Sequence, residues 1–271
     1  MQVDRGLWTP LRLLPLPAPC GIAGFILIFP HMVRLVLFDI DGTLVHTGGA
    51  GVKAFAKVFE TEFGARDGFE RLRFAGRTDV SLVREFFGIH NIAATPENFQ
   101  RFFERYVFWL DHILRESKTE LCPGIWEFIA SLREFQPAPL LGLLTGNIRL
   151  GAEIKLRHFK LWEVFETGAF ADDAEDRDRI AGVARERGCR LLNEELEKDQ
   201  VLVIGDTPLD IRCARAIGAQ VLAVATGGAT LGELEAHRPE KAVPDLTRLD
   251  EIELAKMLQR DGRWKRNGAP A

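Results

Sequence analysis

Unbroken apolar runs at residues 35–38, 140–144, 201–204 and 221–224 punctuate an otherwise mixed chain. Continuous rather than alternating apolarity marks strands buried on both faces, as in a parallel sheet covered by helices. A weaker fifth strand is predicted near 164–170. Helical patterning over 150–159, 178–187 and 209–217 fills the intervals, and Gly218 closes the last of these where a C-cap belongs. Alternating strand and helix imply right-handed crossovers and an open parallel sheet, so the fold class is α/β.

Residues 48–119 break that rhythm. They lack strand-like runs and carry helix periodicity, first in Val52, Phe55, Ala56, Phe59 and Phe63, then over 79–87 and 96–114. The aromatics of the last segment (Phe99, Phe102, Phe103, Tyr106, Phe108 and Trp109) read as helix packing. Cys122-Pro123-Gly124 marks the return to the body, with a helix over 125–135. The expected organisation is therefore an α/β core of residues 32–47 and 120–260, an inserted all-helical cap of 48–119, and a tail of 261–271. Residues 1–31 read as an extension ahead of a true start at Met32. Their apolar run, 22–29, is too short for a bilayer, and export is disfavoured.

At 271 residues, 46% apolar and 27% charged, the chain has ordinary globular composition and length for a sizeable core. Thirty-five basic and 39 acidic residues give a net charge of −4 without long single-sign blocks, which argues against nucleic acid as a partner. Cys20, Cys122, Cys189 and Cys213 are widely spaced, fitting neither a disulfide framework nor a zinc site. A cytoplasmic location and no membrane partner are the expectation.

In open α/β sheets ligands bind beyond the carboxyl ends of the strands. The residues there are Asp39, Thr145, Asp206 and Thr226. Asp39 and Asp41, at i and i+2 of an extended segment, can address one group together, and Gly42 lets the chain turn away. Gly205-Asp206-Thr207-Pro208-Leu209-Asp210 ends another strand with two acids. An N-cap needs only one, and acidic strand ends side by side repel unless a cation joins them. A hard divalent ion with oxygen ligands, Mg²⁺, suits them. Thr145-Gly146-Asn147 offers a hydroxyl and backbone N–H groups at a helix start, suited to a phosphate oxygen.

These three segments resemble motifs of the haloacid dehalogenase superfamily, in particular its phosphatase branch with a helical cap, similar to phosphoglycolate phosphatase and beta-phosphoglucomutase. The resemblance implies a Rossmann-like core. It also implies a Mg²⁺-dependent phosphate monoester hydrolase acting on a small phosphorylated metabolite through an aspartyl-phosphate, as monomer or homodimer. In that reading Asp39 is the nucleophile, and Asp41 the general acid and base. Asp39, the backbone carbonyl of Asp41 and Asp206 hold the metal, Asp210 supports them, and Thr145, Gly146 and Asn147 bind the phosphoryl group. The family's motif lysine is absent between Phe165 and Arg190. Arg177 is the candidate replacement and Arg179 the alternate. Arg77, in Phe74-Ala75-Gly76-Arg77-Thr78-Asp79, and His46, where relatives carry an aspartate, are candidate substrate contacts. A sugar phosphomutase shares every core residue, and a non-catalytic phosphate- and metal-binding module is the alternative from another class.

Overall fold

The computed structural model describes residues 32–68 and 71–259. The expectations for 1–31 and 261–271 concern residues outside that set. β1 (Leu35–Phe38) runs into the short β2 (Val45–His46), and α1 (Ala50–Phe63), α2 (Asp79–Ile89) and α3 (Pro96–Glu116) follow. β3 (Glu120–Leu121) then returns antiparallel to β2, with Val45 opposite Leu121 and His46 opposite Glu120. The chain continues through α4 (Ile125–Arg133), β4 (Leu140–Leu144), α5 (Arg149–His158), β5 (Thr167–Ala169) and α6 (Arg177–Leu192). Next come β6 (Val201–Gly205), α7 (Pro208–Ala216), β7 (Gln220–Val224), α8 (Leu231–Ala236), β8 (Lys241–Val243) and α9 (Glu251–Leu258).

Six of the strands form one parallel sheet in the order β5-β4-β1-β6-β7-β8. The apolar runs at 35–38, 140–144, 201–204 and 221–224 lie at its centre, and the fifth strand is trimmed to three residues. The edge strand β8 had no apolar run to betray it, because Lys241-Ala242-Val243 is short and only Val243 is buried.

Strand alternation sends side chains to two cores. Val36, Phe38, Leu141, Leu143, Leu202 and Ile204 pack against α4 and α9 through Phe128, Ile129, Leu132 and Leu254. On the other face Leu35, Leu37, Leu144, Val201 and Val203 meet Ile180, Ala181 and Ala184 of α6 and Ile211 and Ala214 of α7.

The helices between β2 and β3 enclose a third core, which Ile148 and Ala171 of the α/β body join and in which the Phe59 and Phe86 rings stack with centroids 3.8 Å apart. Thr78 and Thr95 start α2 and α3 by accepting from the Ser81 and Asn98 amides, and Pro96 occupies the first turn of α3. Packing explains Phe102 and Tyr106, which are fully buried. It does not explain Phe108, which is 61% exposed because it lies off the buried stripe of α3. Val52 of α1 likewise faces outward from that core, toward the cavity described below.

Candidate active site

Strand register alone brings distant acids together. Phe38 is level with Leu143 of β4 and with Ile204 of β6, so Asp39, Thr145 and Asp206 leave the same edge of adjacent strands. The Asp39 amide donates to Ile204 O at 2.9 Å, carrying the ladder one residue past β1. Gly42, at φ +83°, then folds the chain back over Asp206. A Cβ there would lie 2.6 Å from Asp206 Oδ2, so only glycine fits both the turn and the approach.

Asp39, Asp206 and Asp210 are buried, each offering a carboxylate oxygen, and these oxygens lie within 4.8 Å of one another. Burial raises the pKa of Asp39 above its ordinary value, and Asp210 adds to the rise while Arg177 opposes it. Burial and the neighbouring carboxyls of Asp210 and Asp39 likewise raise Asp206. Three crowded oxygen donors, with Asp39 and Asp206 resisting ionisation, are what a hard cation would relieve.

Asp210 is less free than Asp206 to meet such a cation. Its Oδ2 accepts from the Thr207 amide at 3.0 Å and the Thr207 hydroxyl at 2.7 Å, forming the cap of α7, and its Oδ1 accepts from Arg177. It is thereby placed to orient its neighbours. Asp206 takes a hydrogen bond from Gly228 N at 2.8 Å and one from Thr43 Oγ1 at 3.2 Å.

Arg177 opens α6 with its guanidinium buried, its Nη2 3.0 Å from Asp39 Oδ1, and its Nη1 donating to Gly76 O at 3.0 Å. Burial alone would lower its pKa, but Asp210 and Asp39 more than offset this. Arg179, two residues on, is exposed. Of the two arginines, the structure brings only Arg177 to the nucleophile candidate.

The Asp41 carboxyl is engaged outside the acid cluster. Its Oδ2 accepts from Lys155 Nζ at 2.6 Å and from Asn147 Nδ2 at 2.8 Å. Any metal contact by Asp41 would therefore fall to its backbone carbonyl. Asn147 Nδ2 also donates to Thr145 Oγ1 at 2.8 Å, and the Asn147 amide does so at 3.3 Å. With its oxygen already accepting, the Thr145 hydroxyl keeps its proton for a ligand.

Lys155 is the functional candidate that the motifs missed. It is 3% exposed on α5, amid the buried Gly151, Ala152 and Leu156. A lysine inside the apolar stripe of a helix was a legible signal, since lysine is almost never fully buried unless paired.

The inserted helices roof this edge. A Cβ on Gly146 would sit 2.2 Å from Arg77 O, so the backbones of the two segments touch. The Asp79 amide donates to Gly146 O at 2.7 Å, and its Oδ2 accepts from the Ile148 amide at 2.9 Å. Beneath the roof is a cavity of about 500 Å³ reaching Asp39, Asp41, His46, Thr145, Lys155, Arg177 and Asp206. His46, half-buried on β2, lines it. Arg77 reaches its wall too, but its guanidinium is tied to Glu85 and weakly to Ser81 O, so the structure does not aim it at a ligand as the motif suggested.

A parallel α/β sheet with acids at its carboxyl edge and a helical roof over them defines a hydrolase class that the chain can be placed in directly. Residues 36–224 match the model of the haloacid dehalogenase-like hydrolases, and the chain belongs to that family. PpaX of Caldanaerobacter subterraneus subsp. tengcongensis is 23% identical over 220 residues, spanning 81% of this chain and 94% of its own. The pyrophosphatase PpaX of Halalkalibacterium halodurans is 26% identical over 205 residues, 74% of this chain and 86% of its own. In fold, the crystal structure of CbbY from Rhodobacter sphaeroides in complex with phosphate is similar with a TM-score of 0.64 at 20% identity, covering 80% of this chain and 96% of that one. Among the described residues no helix is long and apolar enough to cross a membrane.

Proposed function

We propose that this hydrolase is a phosphatase that cleaves monoesters of a small phosphorylated metabolite, with Asp39 as nucleophile. The observation that carries the reading is the convergence of Asp39, Asp206 and Thr145 at one sheet edge with Arg177 on Asp39. A Asp39 oxygen attacks phosphorus, the bond to the leaving oxygen breaks, and an aspartyl-phosphate results. Asp41, whose side chain is 42% exposed toward the cavity, donates a proton to the departing alkoxide. It then takes one from the water that attacks the acyl phosphate, releasing phosphate and restoring Asp39. The Thr145 hydroxyl and the Gly146 amide bind the phosphoryl oxygens as charge shifts onto them, and Asn147 orients that hydroxyl through its donations to Thr145 Oγ1. Arg177 neutralises Asp39 and Asp210, the work a lysine does in the family motif.

The donor set fits a hard divalent ion, which we take to be Mg²⁺. Asp39, Asp206 and the Asp41 carbonyl would hold it, and it would supply positive charge against the phosphoryl oxygens.

The cavity favours an organic leaving group over pyrophosphate. Its cap side includes the apolar Val52, Phe55, Phe74 and Leu82 beside the polar His46 and Thr47, a lining that suits an organic group carrying a phosphate. The test is phosphate release with and without Mg²⁺ from para-nitrophenyl phosphate and a panel of phosphoglycolate, sugar phosphates, nucleotides and pyrophosphate. Activity that requires Mg²⁺ and is lost in Asp39→Asn is expected. A folded protein inactive over the panel overturns the phosphatase, and isomerisation of a sugar phosphate in place of phosphate release would show a mutase.

A further inference from the structure

Lys155 is the buried charge that the reaction above does not use. Of its three ammonium donors, one reaches Asp41 Oδ2 and a second reaches Asn147 Oδ1, each at 2.6 Å. Asn147 in turn donates to the same Asp41 oxygen at 2.8 Å, closing a three-membered ring of side chains. Both bonds to Asp41 fall on Oδ2, while Oδ1 takes no protein hydrogen bond among the described residues, and the side chain is open to the cavity. Asp41 follows β1 on a turn in which Gly42 N donates to Val45 O at 3.0 Å, so its backbone is fixed but its side-chain torsions are not. Lys155 is anchored on a regular helix with only 3% of its surface exposed. A rigid element thus grips one oxygen of a carboxyl and leaves the other toward the substrate.

We propose that Lys155 is a positioning residue that holds the Asp41 carboxyl in the orientation from which it protonates the leaving group. The proposal rests on the phosphatase reading above. Desolvation makes such a grip strong: a buried ammonium without its carboxylate is heavily penalised, so the pair stays closed. Positioned proton transfer contributes on the order of 10²- to 10⁴-fold, and a misdirected carboxyl forfeits much of that.

The experiment exploits leaving-group chemistry. para-Nitrophenolate departs without a proton, whereas the alkoxide of benzyl phosphate needs one. kcat/KM reports the steps through leaving-group departure, so both esters are measured with wild type, Lys155→Met, Lys155→Gln and Asp41→Asn. The Lys155 variants are expected to lose about 100-fold or more in kcat/KM on benzyl phosphate and less than about threefold on para-nitrophenyl phosphate. Asp41→Asn should show the same split. Equal losses on both esters, no loss, or an effect confined to KM would overturn the role of Lys155. If Asp41→Asn alone shows the split, the reaction stands and the Lys155 proposal falls. If wild type cleaves neither ester, the phosphatase reading fails and takes this proposal with it. Thermal melting verifies that the variants are folded, and Lys155→Gln carries the comparison should the methionine unfold the protein.

Discussion

Asp79 offers a stability test of the cap-to-core contact that needs no substrate. It opens α2 with 8% of its surface exposed and holds the Ile148 amide at 2.9 Å. Burial pushes its pKa from 3.8 up to about 7. Asp41 and Asp172 add to the rise, and Lys155 and the Ile148 amide oppose it. The folded protein therefore keeps this proton to higher pH than the unfolded chain does. The associated stability is complete below the unfolded value of 3.8 and is lost as pH rises through about 7. At 1.36 kcal/mol per unit the whole effect is on the order of 4 kcal/mol, of which about 2 kcal/mol falls between about pH 5 and pH 7. Asp79→Asn keeps an oxygen for Ile148 and removes the charge. Urea unfolding of wild type and variant at intervals from about pH 5 to 8 gives two stability curves whose difference isolates this group, because the other carboxyls titrate in both proteins. The wild type should lose about 2 kcal/mol relative to the variant between about pH 5 and pH 7. A difference that stays flat, or that grows in favour of the wild type, would refute the argument that this buried carboxyl is held protonated.

Further outcomes follow from the acid cluster. Arg177→Met strands Asp39 and Asp210 without their shared cation, and should reduce kcat/KM by at least ~100-fold while lowering stability by about 3–5 kcal/mol. Arg177→Lys should keep a substantial part of both, and the exposed Arg179, changed to Met, should alter neither. Mg²⁺ should raise the unfolding free energy of the wild type, by about 2.7 kcal/mol at a hundred times its dissociation constant. Asp206→Asn, relieved of one crowded carboxyl, should be more stable than wild type without metal and insensitive to Mg²⁺. Melting curves of the wild type unmoved by millimolar Mg²⁺ would remove the metal from the reaction.

Much of this architecture was written in local pattern. The runs at 35–38, 140–144, 201–204 and 221–224 announced the parallel core because a strand covered on both faces has no polar side to show. Asp39-Ile40-Asp41-Gly42 and Thr145-Gly146-Asn147 were legible for a related reason: a strand end that carries acid, hydroxyl and glycine instead of apolar weight is built for something besides the core. Contacts between residues remote in sequence were not written there. The packing of α6 against the sheet, not spacing, chose Arg177 over Arg179, by turning one guanidinium inward to Asp39 and leaving the other in solvent. Asp210 joined the acid cluster because its helix cap points its carboxyl back toward β6. Arg77 was drawn to Glu85 by a partner one helical face away. Lys155, 114 positions from Asp41, acquired its partner only when the fold brought α5 to the loop after β1. Side-chain periodicity is a property of each segment and survives in the sequence, whereas the pairing of charges depends on which segments fold side by side.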